Sequence, residues 1–292
     1  MKERDNLIRK LARIELRTKI LVEGLQFGPH HSLFKGLGLE FADIREYVPG
    51  DDIRSIDWKV TARFDRPFVK EFTEERDQTF YLLIDVSGSE SFGSEVTKQQ
   101  KILEVFASLA FAALRNNDRI GLCLFSDRVE KFIPARRGKK HLLAAIDTLI
   151  LHHPVSQRTD LSAALRFIFR ILSRRSSIVI LSDFASPEIF PTLAILRRRH
   201  EVIAIRVTDR RELSLPDIGC IVLEDPETGE QVVADTSDEA FRDRYAALVR
   251  EQENQVSSGL SRAGIGNVLL TTDEPYEIPL RRFFRGMKTG RL

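Results

Sequence analysis

The chain has 292 residues, 42% hydrophobic and 30% charged, with 45 basic and 43 acidic side chains and a formal charge of +2. That balance argues against a dedicated nucleic-acid binder, and the length suits one large domain with a smaller appendage. No apolar run approaches the roughly 20 residues of a membrane span, and the N-terminus lacks the apolar core of a secretion signal. A cytoplasmic protein with no transmembrane span is expected.

In chain order, Leu7, Ile8, Leu11, Ile14, Leu16, Ile20 and Leu21 recur at helical spacing between Lys and Arg, which predicts an amphipathic helix within 1–23. Its apolar face would pack on its own domain, on a partner, or as a peripheral membrane contact. Over 24–78, Gly28-Pro29, Gly36, Gly38, Pro49-Gly50 and Pro67 punctuate short apolar pieces. That composition predicts a small β-rich subdomain of turns and short strands rather than helices.

Residues 79–273 alternate strand and helix signals. Buried strands are expected at TFYLLIDVS, RIGLCLFS, SSIVILSD, EVIAIRVTD and NVLLTTD, with an edge strand at VEKFIPARRG and a hairpin made by GCIVLED and QVVAD. Helices are expected over 98–114, 141–151, 161–172, 188–199 and 239–257. This alternation implies an α/β fold, doubly wound around a mostly parallel sheet with helices on both faces. Residues 274–292 read as a basic tail, which carries no acid from Arg281 onward. Cys123 and Cys220 sit in apolar runs and are expected to be buried thiols; no CxxC pair is present, which fits a reducing compartment. The pairs His30-His31 and His152-His153 lie near proline and are expected in exposed loops.

In a doubly wound fold ligands bind beyond the carboxyl ends of the strands, where the strand order reverses. Three such boundaries carry small oxygen-bearing residues: Asp85, Ser87 and Ser89 after the first strand, Thr159 before a helix, and Asp183 after the third buried strand. Hydroxyls and carboxylates suit a hard divalent cation, Mg²⁺ first, with Mn²⁺ and Ca²⁺ served by the same donors. Taken singly, each is an ordinary turn or capping residue.

This set resembles the metal-ion-dependent adhesion site of von Willebrand factor A domains, and the element order resembles that domain across Thr79–Asp273. The preceding segment carries Glu40, Arg45, Tyr47, Gly50, Asp51, Asp52, Arg54, Asp57, Trp58 and Arg63. Its pattern resembles the signature of the bacterial family called domain of unknown function fifty-eight. The resemblance implies a non-catalytic, metal-dependent interaction module that binds an acidic group of a protein partner. The family's setting implies that this partner is a MoxR-type AAA+ ATPase. Two departures stand out: many members of the family carry N-terminal membrane helices that this chain lacks, and Arg158 stands where a glycine often precedes the site threonine.

The signature segment reads either as a structural lock, with Trp58 as its anchor on the α/β domain, or as a recognition surface with Arg45, Arg54 and Arg63 as anion-binding groups. Two other functions compete. One is a metal-dependent hydrolase acting on phosphate esters through Asp85, against which Ser87 stands where a second carboxylate is usual. The other is a nucleic-acid or membrane-surface binder using the basic tail. No Walker loop, HExxH or serine-histidine-acid order is present.

Overall fold

The computed structural model describes residues 39–49, 51–64, 66–74, 78–88 and 97–288. The helix expected within 1–23, the pair His30-His31, and Gly50 and Ser89 lie outside the described residues, as do the side chains of Glu40 and Arg54. The chain divides into two compact units, one within Pro29–Asp77 and one that begins at Gln78.

In the smaller unit β1 (Leu39–Glu46) pairs antiparallel with β2 (Phe68–Glu74), with a register irregularity between Phe41 and Asp43. Between them lie a 3₁₀ turn, Ile53–Ser55, and the helix α1 (Trp58–Phe64). The helix corrects the expectation of turns and strands alone. Asp57 starts it, since its Oδ1 accepts the N–H groups of Lys59 and Val60 at 3.0 and 3.3 Å. Thr61 Oγ1 accepts the N–H of Phe68 at 3.0 Å and so ties α1 to β2. The Arg45 guanidinium grips Asp51 with two bonds of 2.7 and 2.8 Å, and Asp51 also accepts the N–H of Val48. That guanidinium holds the Asp51 carboxyl down at about 2. Trp58 opens α1 and is not buried by its own unit. Within this unit the signature is ordered by polar contacts.

The larger unit is built on a six-stranded sheet. Its strands are β3 (Thr79–Asp85), β4 (Arg119–Phe125), β5 (Val129–Arg136), β6 (Ser177–Leu181), β7 (Glu201–Thr208) and β10 (Gly266–Thr271). Their order is β10-β7-β6-β3-β4-β5, parallel throughout except for β5 at the edge. The apolar runs become strands because parallel strands are covered on both faces. Alternate residues feed two cores. Phe80, Leu82 and Ile84 face α2 (Lys98–Arg115), α3 (Lys139–Leu151) and α8 (Glu277–Lys288). Tyr81 and Leu83 face α4 (Leu161–Ile171), α5 (Phe190–Arg199) and α7 (Glu239–Arg262). A short helix, α6 (Arg210–Leu213), follows β7.

Two local expectations change, and one holds. The basic tail is mostly α8, whose Leu280, Phe283 and Phe284 are buried, with Tyr276 just ahead of it; apolar residues at helical spacing outweigh the surrounding charge. Cys123 is buried, and burial pushes its thiol up to about 12. Cys220 is exposed instead, because β8 (Cys220–Glu224) pairs only with β9 (Gln231–Asp235) in a separate two-stranded sheet.

Chain order explains where a ligand would sit. From β3 the chain moves to β4 and β5 on one side, then crosses to β6, β7 and β10 on the other. The strand order therefore reverses between β3 and β6, the place where loops diverge and a crevice forms in a doubly wound fold.

One buried carboxylate lies away from that crevice. Asp118 is 6% exposed, and burial raises its carboxyl from 3.8 to about 7 against a backbone hydrogen bond from Gln78. Since the folded state favours the protonated form, this residue lowers stability as pH climbs from about 4 to about 7. Asp118→Asn is expected to melt with wild type at pH 4 and roughly 3–8 °C above it at pH 8, read by calorimetry. An equal shift at both pH values would contradict this.

Candidate functional site

Asp85 ends β3 and is 1% exposed. Its Oδ1 accepts the N–H of Ser87 at 3.0 Å, and its Oδ2 accepts the hydroxyl of Ser182 at 2.9 Å. Burial pushes the carboxyl up to about 7; the backbone and hydroxyl of Ser87 and the hydroxyl of Ser182 oppose this, and the negative charge of Asp183 adds to it. Ser87 and Ser182 are themselves buried. No cationic side chain among the described residues pairs with Asp85 or Asp183.

Asp183 follows β6, across the reversal point from Asp85. Its Oδ1 accepts the N–H of Ala185 at 3.1 Å. Phe184 next to it adopts φ 57°, a left-handed conformation rare for an aromatic residue, while its ring is buried in the core on the Tyr81 face. The buried ring holds this turn in place, and with it the direction of Asp183. Local strain of this kind costs on the order of 1–3 kcal/mol and persists where packing enforces it.

Thr159 reaches the same crevice from the loop before α4. Two backbone bonds bring it there: Gly88 N–H donates to Gln157 O, and Asp160 N–H donates to Ser126 O, each at 2.9 Å. Asp160, not Thr159, caps α4, accepting the N–H of Ala163. The Thr159 hydroxyl donates to Glu227 Oε1 at 2.7 Å, and Glu227 sits in the turn between β8 and β9. Arg158 points to solvent. Gly88 is tightly enclosed: a Cβ there would lie 2.5 Å from Gln157 Oε1 and 2.6 Å from Pro226 O.

Asp85 with Ser87 and Asp183 thus follow the neighbouring strands β3 and β6, and the Gly88–Gln157 bond sets the loop that carries Thr159 beside the loop after β3. Sequence reasoning did not single out Ser182, Glu227 and Gly88. Ser182 stood beside Asp183, and Gly88 followed Ser87 directly; only Glu227 carried no local signal. Among the described residues no three His, Cys, Asp or Glu side chains are grouped to hold a cation alone. A cation here would lean on hydroxyl oxygens, and the donor chemistry fits: two carboxylates plus the hydroxyls of Ser87 and Thr159 suit a hard ion. Ser182 and Thr159 each give their single hydrogen to a carboxylate, which leaves the oxygen lone pairs available.

His152 also departs from the expected exposed loop. Its Nε2 lies 2.6 Å from Glu130 Oε2, whose carboxylate also accepts from Ser126 and from the N–H of Val155. Burial raises the Glu130 carboxyl, but the Ser126 and His152 bonds and the other donors outweigh it and hold it below its ordinary value. The carboxylate stands between Ser126 and His152, so this group staples the β5 edge and is not a hydrolase triad.

The profile of the family described as "Protein of unknown function DUF58" matches residues 43–255. The uncharacterized protein Mb1516 of Mycobacterium bovis is 32% identical over 287 residues, covering 97% of this chain and 90% of that protein. YeaD of Bacillus subtilis, also uncharacterized, is 29% identical over 112 residues, 38% of this chain and 26% of that protein. Among solved structures, the conserved hypothetical protein BatB from Bacteroides thetaiotaomicron aligns over 73% of this chain and 99% of its own, at 14% identity and a TM-score of 0.46.

Proposed function

We propose a function from one premise: the chain belongs to the DUF58 family. The proposed function is that of a von Willebrand factor A-like, non-catalytic interaction module. It holds a divalent cation between Asp85, Ser87, Thr159 and Asp183, with Ser89 as a further donor, and presents that cation to an acidic group of a protein partner. Mg²⁺ is the ion we favour. The partner we propose is a MoxR-type AAA+ ATPase, met in the cytoplasm. Among the described residues no helix is long and apolar enough to cross a membrane.

One observation carries this reading: Asp85 is a buried carboxylate near the charge of Asp183, held by the N–H of Ser87 and the hydroxyls of Ser87 and Ser182, and among the described residues no cationic side chain pairs with it. Uncompensated charge of this kind is costly, and a bound cation offsets the cost. The same burial weighs against a hydrolase. A nucleophilic Asp85 would have to reach substrate, and its side chain is buried with each oxygen already accepting one hydrogen bond.

Calorimetric titration of the folded protein with Mn²⁺ and Mg²⁺ is expected to show one site. Thr159→Val is expected to weaken it about tenfold through loss of one oxygen donor. Partner capture from a lysate should require Mg²⁺ and fail in EDTA. Absence of saturable binding to the wild-type protein would overturn the reading.

A further inference from the structure

The proposed interaction module does not by itself explain the hairpin of β8 and β9. Its turn is braced from within. Asp225 Oδ1 accepts the Glu227 N–H at 2.9 Å and Oδ2 accepts the Thr228 hydroxyl at 2.7 Å. The N–H of Asp225 donates to Glu230 O at 2.9 Å, and Gly229 supplies a φ of 73°. Glu227 is therefore carried on a stiff loop, and that loop delivers its carboxylate to the hydroxyl of Thr159. The neighbouring Pro226 carbonyl closes over Gly88. Successive residues of one turn thus meet two separate edges of the crevice.

The rest of the hairpin is lightly held. Its strands bond only to each other, and Ala234 is its one buried strand residue. Thr236, bonded to the carbonyl of Gly219 and the N–H of Ile218, clasps its base. A two-stranded hairpin is marginal by itself, so this one can lift from the crevice without disturbing the main sheet.

We propose that Glu227 is a built-in substitute for the partner's acidic group: its carboxylate completes the cation site in the free chain, and a partner's carboxylate displaces it. This inference rests on the cation reading given above. Because the Thr159 hydroxyl donates to Glu227, its oxygen can face a cation while its hydrogen holds the carboxylate in place. With Asp85 and Asp183, Glu227 does not make a cluster of three acids; its route to the site is through Thr159. An internal carboxylate lowers the apparent affinity for any competing acidic partner by the fraction of chains in which the hairpin is closed. The module is then self-capped until a partner's stronger contacts lift the turn.

The test uses Mn²⁺ alone as the probe, followed by titration and by the relaxation of water protons at the bound ion. Glu227→Ala is expected to bind Mn²⁺ about tenfold more weakly than wild type. It should also relax water protons faster per bound ion, because water enters the emptied position. Acetate should reverse that rise in Glu227→Ala and leave wild type unchanged. Binding that depends on Asp85 but is indifferent to Glu227→Ala in both readouts overturns the role of Glu227 alone. A rise that acetate does not reverse reports distortion instead of an emptied carboxylate position, and overturns it too. A folded wild-type protein that binds no Mn²⁺ overturns this inference together with the cation reading. Glu227 lies in a surface turn, and a melting curve confirms that its variant is folded.

Discussion

Replacing Asp85 by Asn is expected to weaken Mn²⁺ binding at least about a hundredfold and, in EDTA, to raise the melting temperature by several degrees. The two effects have one cause. Asp85 is buried beside the charge of Asp183, with only the N–H of Ser87 and two serine hydroxyls to support its own charge. Asparagine keeps the shape: its Oδ1 still accepts from Ser87, and its Nδ2 can donate to Ser182 Oγ once that hydroxyl turns to accept. What is lost is the desolvated charge, a liability in the empty fold and the main attraction for a cation. A residue kept only to cap the loop after β3 would behave otherwise. Its replacement would leave Mn²⁺ binding unchanged and lower the melting temperature, and that pair of results would remove Asp85 from the site. A stabilising substitution that abolishes binding is the usual mark of a position held for function at the expense of stability.

The strands of the large unit were legible because both their faces are covered, which forces runs such as Tyr81 to Ile84 to be apolar throughout. The order of strands follows from that alternation only as far as a doubly wound sheet. The reversal point between β3 and β6 then explains why Asp85 with Ser87 and Asp183, each an ordinary turn residue alone, end beside each other after neighbouring strands. Two elements were hidden by composition. Leu280, Phe283 and Phe284 stand at helical spacing, but the arginines around them made the segment read as a solvated tail. Helix α1 lies among glycines and prolines, although Asp57 ahead of Trp58 was an N-terminal capping signal. Other features had no local signal at all. The contact between Thr159 and Glu227 joins residues 68 apart, and no spacing rule reaches across a hairpin excursion of that kind. The left-handed backbone of Phe184 is imposed by core packing against its own preference.

Gly88→Ala bears on whether the hairpin and the site are one mechanical unit. It is expected to weaken Mn²⁺ binding about thirtyfold and to cost roughly 1–3 kcal/mol of stability, the usual range for a group forced into a filled space. Gly88 does not occupy the left-handed region, so crowding and not backbone strain is the cause. The added carbon would lie 2.5 Å from Gln157 Oε1 and 2.6 Å from Pro226 O. The glutamine side chain can swing aside; the proline carbonyl is backbone and moves only if the turn moves. Lifting the turn pulls Glu227 from Thr159, while shifting the other side breaks the Gly88 to Gln157 bond that places Thr159. These routes are separable by combining Gly88→Ala with Glu227→Ala. If the turn lifts, Glu227 is already out of play, and the double variant should bind Mn²⁺ no more weakly than Gly88→Ala alone. Losses that add in full would mean that the crowding acts on the loop after β3 and leaves the hairpin seated.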